Sequence, residues 1–305
     1  MAIGAVGRER VDKFEHADDF RNRAAWRDEV DVVATAPERI VGWYSFPQMY
    51  YVQCGLASCR RSHGLGFLVL LADGTETNIG GHCGRKHVEK AVWSNIFKTF
   101  TATQKTQSQL EVIGRVLARK DETLAKARAL LERVIPAATS VQRIVAEVYK
   151  DKGLQRAFDD ARKSGGDLIY YRHATERERE LNPRAQTVPV RVGRLDGNAA
   201  HAGSTVIQEL RYKVIAHLED LEPDGMVAMK AKELDRYTKF IGDMDPIIRR
   251  AGYFLDDAAR FIRRQNWDAF ETFCRDSGME ITSKALTAFA AINIAVSEPA
   301  PDWTQ

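Results

Sequence analysis

The sequence predicts a mainly α-helical protein that carries one small β-hairpin module. Two observations predict this fold class. Apolar residues recur at helical spacing along most of the chain after residue 103, and a short apolar run, Phe67–Leu71, is separated by an Asp-Gly turn from Thr75–Ile79. With 305 residues, 44% of them hydrophobic, the chain can bury one large core or two modest ones.

The N-terminal domain is expected to span residues 1–100. Residues 9–33 are rich in charge and have apolar residues at roughly helical intervals, which predicts one or two helices. Residues 39–52 are aromatic and β-branched, as is typical of an extended segment. After the hairpin, Gly80-Gly81 ends the second strand, and we expect a helix to begin near His82 or Cys83.

A long helical hairpin is predicted for residues 101–165. Its first helix covers residues 103–134 and ends at Pro136, and a second amphipathic helix follows. Leucines recur every seven residues in the first helix, at Leu110, Leu117, Leu124 and Leu131. This spacing favours a coiled-coil seam, which packs against the second helix or forms a homodimer through residues 110–134.

The remaining chain is expected to form an irregular connection over residues 166–203, a helical bundle over residues 204–296 and a polar tail over residues 297–305. Within the connection, only Thr187–Leu195 resembles a strand. We find no targeting signal, and the longest nearly apolar stretch, Ala285–Val296, is shorter than the roughly 20 residues that span a bilayer. These observations predict a cytoplasmic protein with no membrane partner.

Three of the four cysteines lie between residues 54 and 83, and this clustering favours a metal site over disulfides. The spacing is C-x4-C, then 23 residues, then C-x3-H, which predicts Cys54, Cys59, Cys83 and His87 as ligands. His63 and His82 are the spare candidates. Thiolates and imidazole suit Zn²⁺, and four protein ligands leave no open position for water. We therefore expect a structural zinc ion.

The order of these features, a ligand pair in a loop, a β-hairpin and a second pair that opens a helix, resembles that of the treble-clef zinc fingers. The resemblance covers residues 50–97, and it departs from the usual pattern in its wider C-x4-C spacing and its final histidine. It implies that Cys54 and Cys59 form the knuckle pair and that Cys83 and His87 form the helical pair. It identifies a fold group and implies no function.

Basic residues outnumber acidic ones around the predicted metal site. The formal net charge of +3 excludes a strongly basic coat protein, so any nucleic-acid contact must be local. The candidate contact residues are Arg60, Arg61, Arg85, Lys86 and Lys90. Tyr50, Tyr51 and Trp93 can stack on bases if they are exposed. The sequence thus predicts a non-catalytic nucleic-acid-binding or regulatory factor.

Two other functions remain open at this stage. The helical surfaces suit a protein–protein adaptor. A His-metal nuclease of the HNH type would use His63, Asn78 and either His82 or His87, with one histidine acting as general base on a water molecule. Because phosphate-loop, nucleophile-elbow and H-E-x-x-H motifs are absent, we expect a protein that is not an enzyme.

Overall fold

The computed structural model describes residues 10–184, 186–197, 200 and 202–297. Helices make up 60% of the structure and the sheets are small, which confirms the predicted class of a mainly α protein with a small β module. The described chain divides into two compact units, one extending to Ala118 and including Pro223–Thr238, the other comprising Arg119–Glu222 and the residues from Lys239 onward. No described helix combines the length and apolar character needed to cross a membrane.

The described residues of the first unit include six strands. They are β1 (Asp12–Phe14), β2 (Pro37–Ser45), β3 (Val52–Gln53), β4 (Ser62–His63), β5 (Leu65–Leu71) and β6 (Glu76–Gly80). A four-stranded sheet has the order β1-β2-β5-β6, in which β1 is parallel to β2 and the other pairs are antiparallel. The pairing of β5 with β6 confirms the hairpin predicted around Asp73-Gly74. Strands β3 and β4 form a separate two-stranded ribbon.

Both faces of the four-stranded sheet are buried. The helices of this part of the chain are α1 (Asp18–Arg21), α2 (Gly81–His87) and α3 (Lys90–Leu117). On one face, Phe67 of β5 packs against Trp93 and Phe100 of α3. On the other face, Tyr44 of β2 stacks on Phe20 with ring centroids 5.2 Å apart. The sheet is therefore a firm support for the loops at its edge.

The helices predicted within residues 9–33 are present only as the four-residue α1, and residues 12–14 form β1 instead. Phe14 and Phe20 are both buried against the sheet, and their rings contact each other edge to face. Their near-helical spacing therefore reflects contacts of a short strand and a short helix with one sheet face. Tertiary packing overrides the local pattern here.

The second unit consists mainly of helices of four to 29 residues. They include α4 (Lys120–Val148), α5 (Lys152–Lys163), α6 (Glu176–Leu181), α7 (Gly203–Gln208), α8 (Ala216–Glu219), α11 (Arg264–Asp276) and α12 (Ser283–Ser297). A π-helix over Glu209–Ile215 joins α7 to α8. Helix α9 (Pro223–Ala228) belongs to the first unit, and α10 (Ala231–Phe261) begins there and ends in the second. The aromatic core of the second unit contains the buried rings of Phe158, Phe261, Trp267 and Phe270.

The segment expected to be an irregular connection contains a β-hairpin. Strand β8 (Thr187–Arg194) matches the predicted strand, and it pairs antiparallel with β7 (Asp167–His173), which the sequence analysis did not predict. Strand β7 is mostly half-exposed, and Leu168 is its one fully buried residue. Its residues 169–171, an isoleucine and two tyrosines, are of types enriched in strands, so the local sequence does contain a signal for β7.

The predicted end of a helix at Pro136 is wrong, because α4 continues through this residue. Ala137 and Ala138 are buried directly after it, and this packing offsets the hydrogen bond that proline removes. The helices instead break at Ala118–Arg119, so Leu110 and Leu117 lie on α3 while Leu124 and Leu131 lie on α4. The coiled coil and the homodimer through residues 110–134 stay predictions.

Candidate metal centre

Three cysteines converge at one end of the first unit. Cys54 directly follows β3, Cys59 lies in the loop between β3 and β4, and Cys83 lies in the first turn of α2. The backbone N–H of Cys54 donates to the carbonyl of Arg61 at 2.9 Å, which closes the loop that carries Cys59. The Sγ atoms of Cys59 and Cys83 are 3.2 Å apart. The fold thus brings together the three cysteines that the sequence analysis selected.

A histidine, His63 of β4, lies beside two of these cysteines. One ligand atom each from Cys54, His63 and Cys83 lie within 4.8 Å of one another. Two tetrahedral sulfur ligands at the usual zinc–sulfur distance of about 2.3 Å are roughly 3.8 Å apart, so these spacings fit one ion with small adjustments. This Cys/His/Cys group can hold a metal ion.

The two nitrogens of the His63 ring have different surroundings. Nδ1 lies 3.3 Å from the hydroxyl of Tyr44. Nε2 is buried and has no hydrogen-bond partner among the described residues. A buried nitrogen without a partner is costly unless it binds something, and a metal ion satisfies the lone pair of a neutral imidazole.

A hydrogen-bond network holds Tyr44 behind the histidine. The side-chain amide of Asn78 in β6 donates to the carbonyl of Gln53 at 2.7 Å and to the Tyr44 hydroxyl at 3.4 Å. Asn78 is 2% exposed and Tyr44 is fully buried. The imidazole also stacks on the Tyr44 ring, with centroids 5.9 Å apart. The orientation of His63 is therefore fixed by strands on two sides.

The thiols have different electrostatic surroundings. Burial raises the pKa of Cys54, and burial together with hydrogen bonds to the other two thiols raises the pKa of Cys83 to about 12. Although desolvation acts in the opposite direction, hydrogen bonds from the Arg61 backbone and from the other thiols lower the pKa of Cys59. Burial also lowers the pKa of His63, which favours the neutral imidazole that binds metals.

Among the described residues, the other predicted or spare histidines are not members of this group. Nδ1 of His87, at the end of α2, lies 3.2 Å from the hydroxyl of Ser58. His82 is exposed. The sequence also contains a signal for His63, since Cys59 and His63 have the same C-x3-H spacing as Cys83 and His87.

Comparison with known proteins gives no match to any family model, curated protein or solved structure. The treble-clef resemblance therefore has no independent family support.

The five basic residues predicted to contact nucleic acid are all exposed. Arg60 forms an ion pair with Glu29 and also contacts Gln53. Within the described part of the chain, the other four form no ion pair; they are Arg61, Arg85, Lys86 and Lys90. The contact between Ser58 and His87 joins the cysteine loop to the turn of α2 that contains Arg85 and Lys86. We call these five residues the basic surface.

Two members of the nuclease trio already have contacts within the first unit. His63 lies among the thiols, and Asn78 uses its amide for hydrogen bonds within the core. Of the aromatic residues considered for stacking, Trp93 is buried at 5% exposure, because its ring packs over Gly84. Tyr50 and Tyr51 are exposed.

Proposed function

We propose that Cys54, Cys59, His63 and Cys83 bind a structural zinc ion. Three thiols and one imidazole are a ligand set that zinc prefers, and harder cations such as Mg²⁺ prefer oxygen. The buried Nε2 of His63, which has no partner in the described structure, supports this ligand most directly. Binding through Nε2 leaves the proton on Nδ1, which then donates to Tyr44, as histidine ligands usually do to a neighbouring group.

The proposed ligand set keeps three of the residues predicted from spacing and replaces His87 with His63. Four protein ligands fill a tetrahedral site, so the ion would stabilise the fold and would not activate water. It would join the β3–β4 ribbon to α2, because Cys54 directly follows β3, His63 belongs to β4 and Cys83 belongs to the helix. The order of loop, hairpin and helix supports a treble-clef classification as part of this proposal.

We further propose that this module binds nucleic acid in a non-catalytic role. The observation that carries the proposal is the cluster of exposed cations without ion pairs beside the metal centre: Arg61, Arg85, Lys86 and Lys90. Cations that no carboxylate neutralises can replace the counterions of a phosphate backbone. Because the proposed zinc ion fixes both the loop and α2, it would also fix the spacing of these charges.

A salt titration of binding tests this proposal. Fluorescence anisotropy with mixed-sequence DNA and RNA should show binding at low salt that weakens steeply as salt increases. The double variant Arg85→Glu/Lys86→Glu should weaken binding and reduce the slope of log K against log salt by roughly 1 to 2. Lys152→Glu is the matched control, since Lys152 is an exposed lysine of the second unit.

Absence of binding at low salt would remove the nucleic-acid proposal. The protein–protein adaptor would then be the leading alternative, and its surfaces would lie on the helices. Binding that the charge reversal leaves unchanged would place the contact elsewhere on the chain and would contradict the role of the basic surface.

A further inference from the structure

Two exposed tyrosines lie next to the metal centre. Tyr50 ends a short 3-10 turn over Gln48–Tyr50 and is 64% exposed, and Tyr51 directly precedes β3 and is 49% exposed. The Tyr51 ring packs over the backbone of Gly64, where an added Cβ would lie 2.2 Å from ring carbon Cε1. The ring of Tyr51 is therefore held on one side by the strand connection and remains accessible to solvent.

The tyrosines form one wall of a cleft of about 610 Å³. Its apolar lining includes the buried side chains of Phe46 and Val52. Its rim includes the exposed residues His16, Asp18 and Arg21. An aromatic wall with a polar rim suits a planar heterocycle, which stacks through its face and forms hydrogen bonds through its edge.

The β3–β4 ribbon connects this cleft to the basic surface. Val52 and Cys54 are buried, whereas Gln53 and Ser62, which are paired across the ribbon, are exposed. Arg60 contacts Gln53 on the exposed face. The exposed face of the ribbon therefore presents the amide of Gln53, the hydroxyl of Ser62 and the guanidinium of Arg60. Cys54 of the candidate metal site is buried on the other side.

We propose that this surface selects single-stranded over double-stranded nucleic acid, with unpaired bases stacking on Tyr50 and Tyr51 and phosphates contacting Arg61, Arg85, Lys86 and Lys90. The inference rests on the proposed nucleic-acid-binding function and specifies its ligand. In a duplex the bases stack on one another and their faces are closed to side chains, whereas unpaired bases can stack on aromatic rings.

Anisotropy with labelled 20-mers of oligothymidine, oligouridine and a mixed-sequence duplex tests the inference at low salt. The full-length protein should bind the single strands at least about 5-fold more tightly than the duplex. Tyr50→Ala and Tyr51→Ala should each weaken single-strand binding by about 5-fold or more and leave duplex binding unchanged. Tyr51→Phe should retain binding because it keeps the ring. Tyr171→Ala is the control, since Tyr171 is 69% exposed in the second unit.

The possible outcomes distinguish single-strand selection from nucleic-acid binding itself. Equal affinity for duplex and single strands, or tyrosine variants that bind like the wild type, would overturn single-strand selection and leave nucleic-acid binding in place. Failure to bind any of the three oligonucleotides would overturn both. Zinc content and thermal unfolding of each variant report on folding. If Tyr51→Ala is unstable, the single-strand affinity of Tyr50→Ala alone tests the stacking.

Discussion

The imidazole of His63 lies against the backbone of Gly80, so closely that a Cβ on Gly80 would be 2.7 Å from ring carbon Cδ2. Gly80 pairs with Gly66 across β5 and β6, and a Cβ on Gly66 would also meet the ring, 2.9 Å from Cε1. The two glycines therefore leave room for the imidazole at the end of the hairpin. The end of the β5–β6 hairpin thus forms part of the candidate metal site.

Gly80→Ala should displace the His63 ring and weaken zinc binding by about 10-fold or more, the range seen when the support of a ligand is lost. The backbone of Gly80 is extended, with φ −69° and ψ 147°, so alanine causes no conformational strain of its own. Gly81→Ala is the matched control, because its Cβ would lie an ordinary 3.5 Å from Phe67. Competition with a chromophoric chelator measures both affinities, and equal values would contradict the proposed position of His63 in the metal site.

His63→Ala should abolish stable zinc binding, whereas His87→Ala should retain one zinc ion per chain. The physical reason is that His63 contributes a buried nitrogen to the thiol group, while His87 contacts Ser58 outside that group. Zinc in the purified variants is measured by elemental analysis. Zinc retained in His63→Ala and lost in His87→Ala would reverse our assignment and restore the ligand set predicted from spacing.

Cys83→Ser extends this test to the helix. A serine hydroxyl is a much poorer zinc ligand than a thiolate, so Cys83→Ser should lose zinc, as His63→Ala should. Cys274→Ser is the matched control, because Cys274 is a buried cysteine of the second unit and is not a proposed ligand. Unchanged zinc stoichiometry in Cys83→Ser would contradict the whole metal proposal.

Tyr44→Phe should lower zinc affinity by about 10-fold while the fold is retained, because it removes the hydroxyl that contacts Nδ1 of His63 and keeps the buried ring. Tyr44 acts here as a positioning residue. The variant also leaves Asn78 with its hydrogen bond to Gln53, so the strands stay joined. Zinc affinity that is unchanged from wild type would show that the hydroxyl does not orient the imidazole.

Asp151→Ala should destabilise the second unit by about 1 kcal/mol, the usual value of a helix N-cap. Asp151 caps α5 by accepting hydrogen bonds from the N–H groups of Gly153 and Leu154, and it also accepts from the hydroxyl of Thr282 at 2.6 Å. Asp151→Asn should cost less, because asparagine caps helices as well. Thermal unfolding of the three proteins measures the difference.

The contribution of Asp151 should depend on pH. The hydrogen bond from Thr282, followed by those from the backbone, lowers the pKa of this carboxyl. A depressed folded-state pKa stabilises the protein above the unfolded value of about 3.9 and loses this effect as pH falls through the folded value. The stability difference between wild type and Asp151→Asn should therefore shrink below about pH 4. A constant difference from pH 7 to pH 3 would contradict the charged cap.

The sequence alone predicted the parts of this protein that depend on local pattern. The hairpin around Asp73-Gly74 follows from a turn signal between two strand-like runs, and the clustered cysteines indicate a metal site because thiol spacing is a local property. The long helices were predicted in kind, but the ends expected at Pro136 and within residues 9–33 were wrong. Buried contacts of Ala137, Phe14 and Phe20 determine those ends, and such contacts are invisible in the local pattern.

Only the tertiary structure decided which histidine joins the thiols. Cys59–His63 and Cys83–His87 have identical spacing, so sequence distance cannot rank them. The choice depends on the ribbon of β3 and β4, which turns His63 toward Tyr44 and over two paired glycines, while the end of α2 leaves His87 beside Ser58. These are contacts between residues up to 29 positions apart, and they arise only when the chain folds.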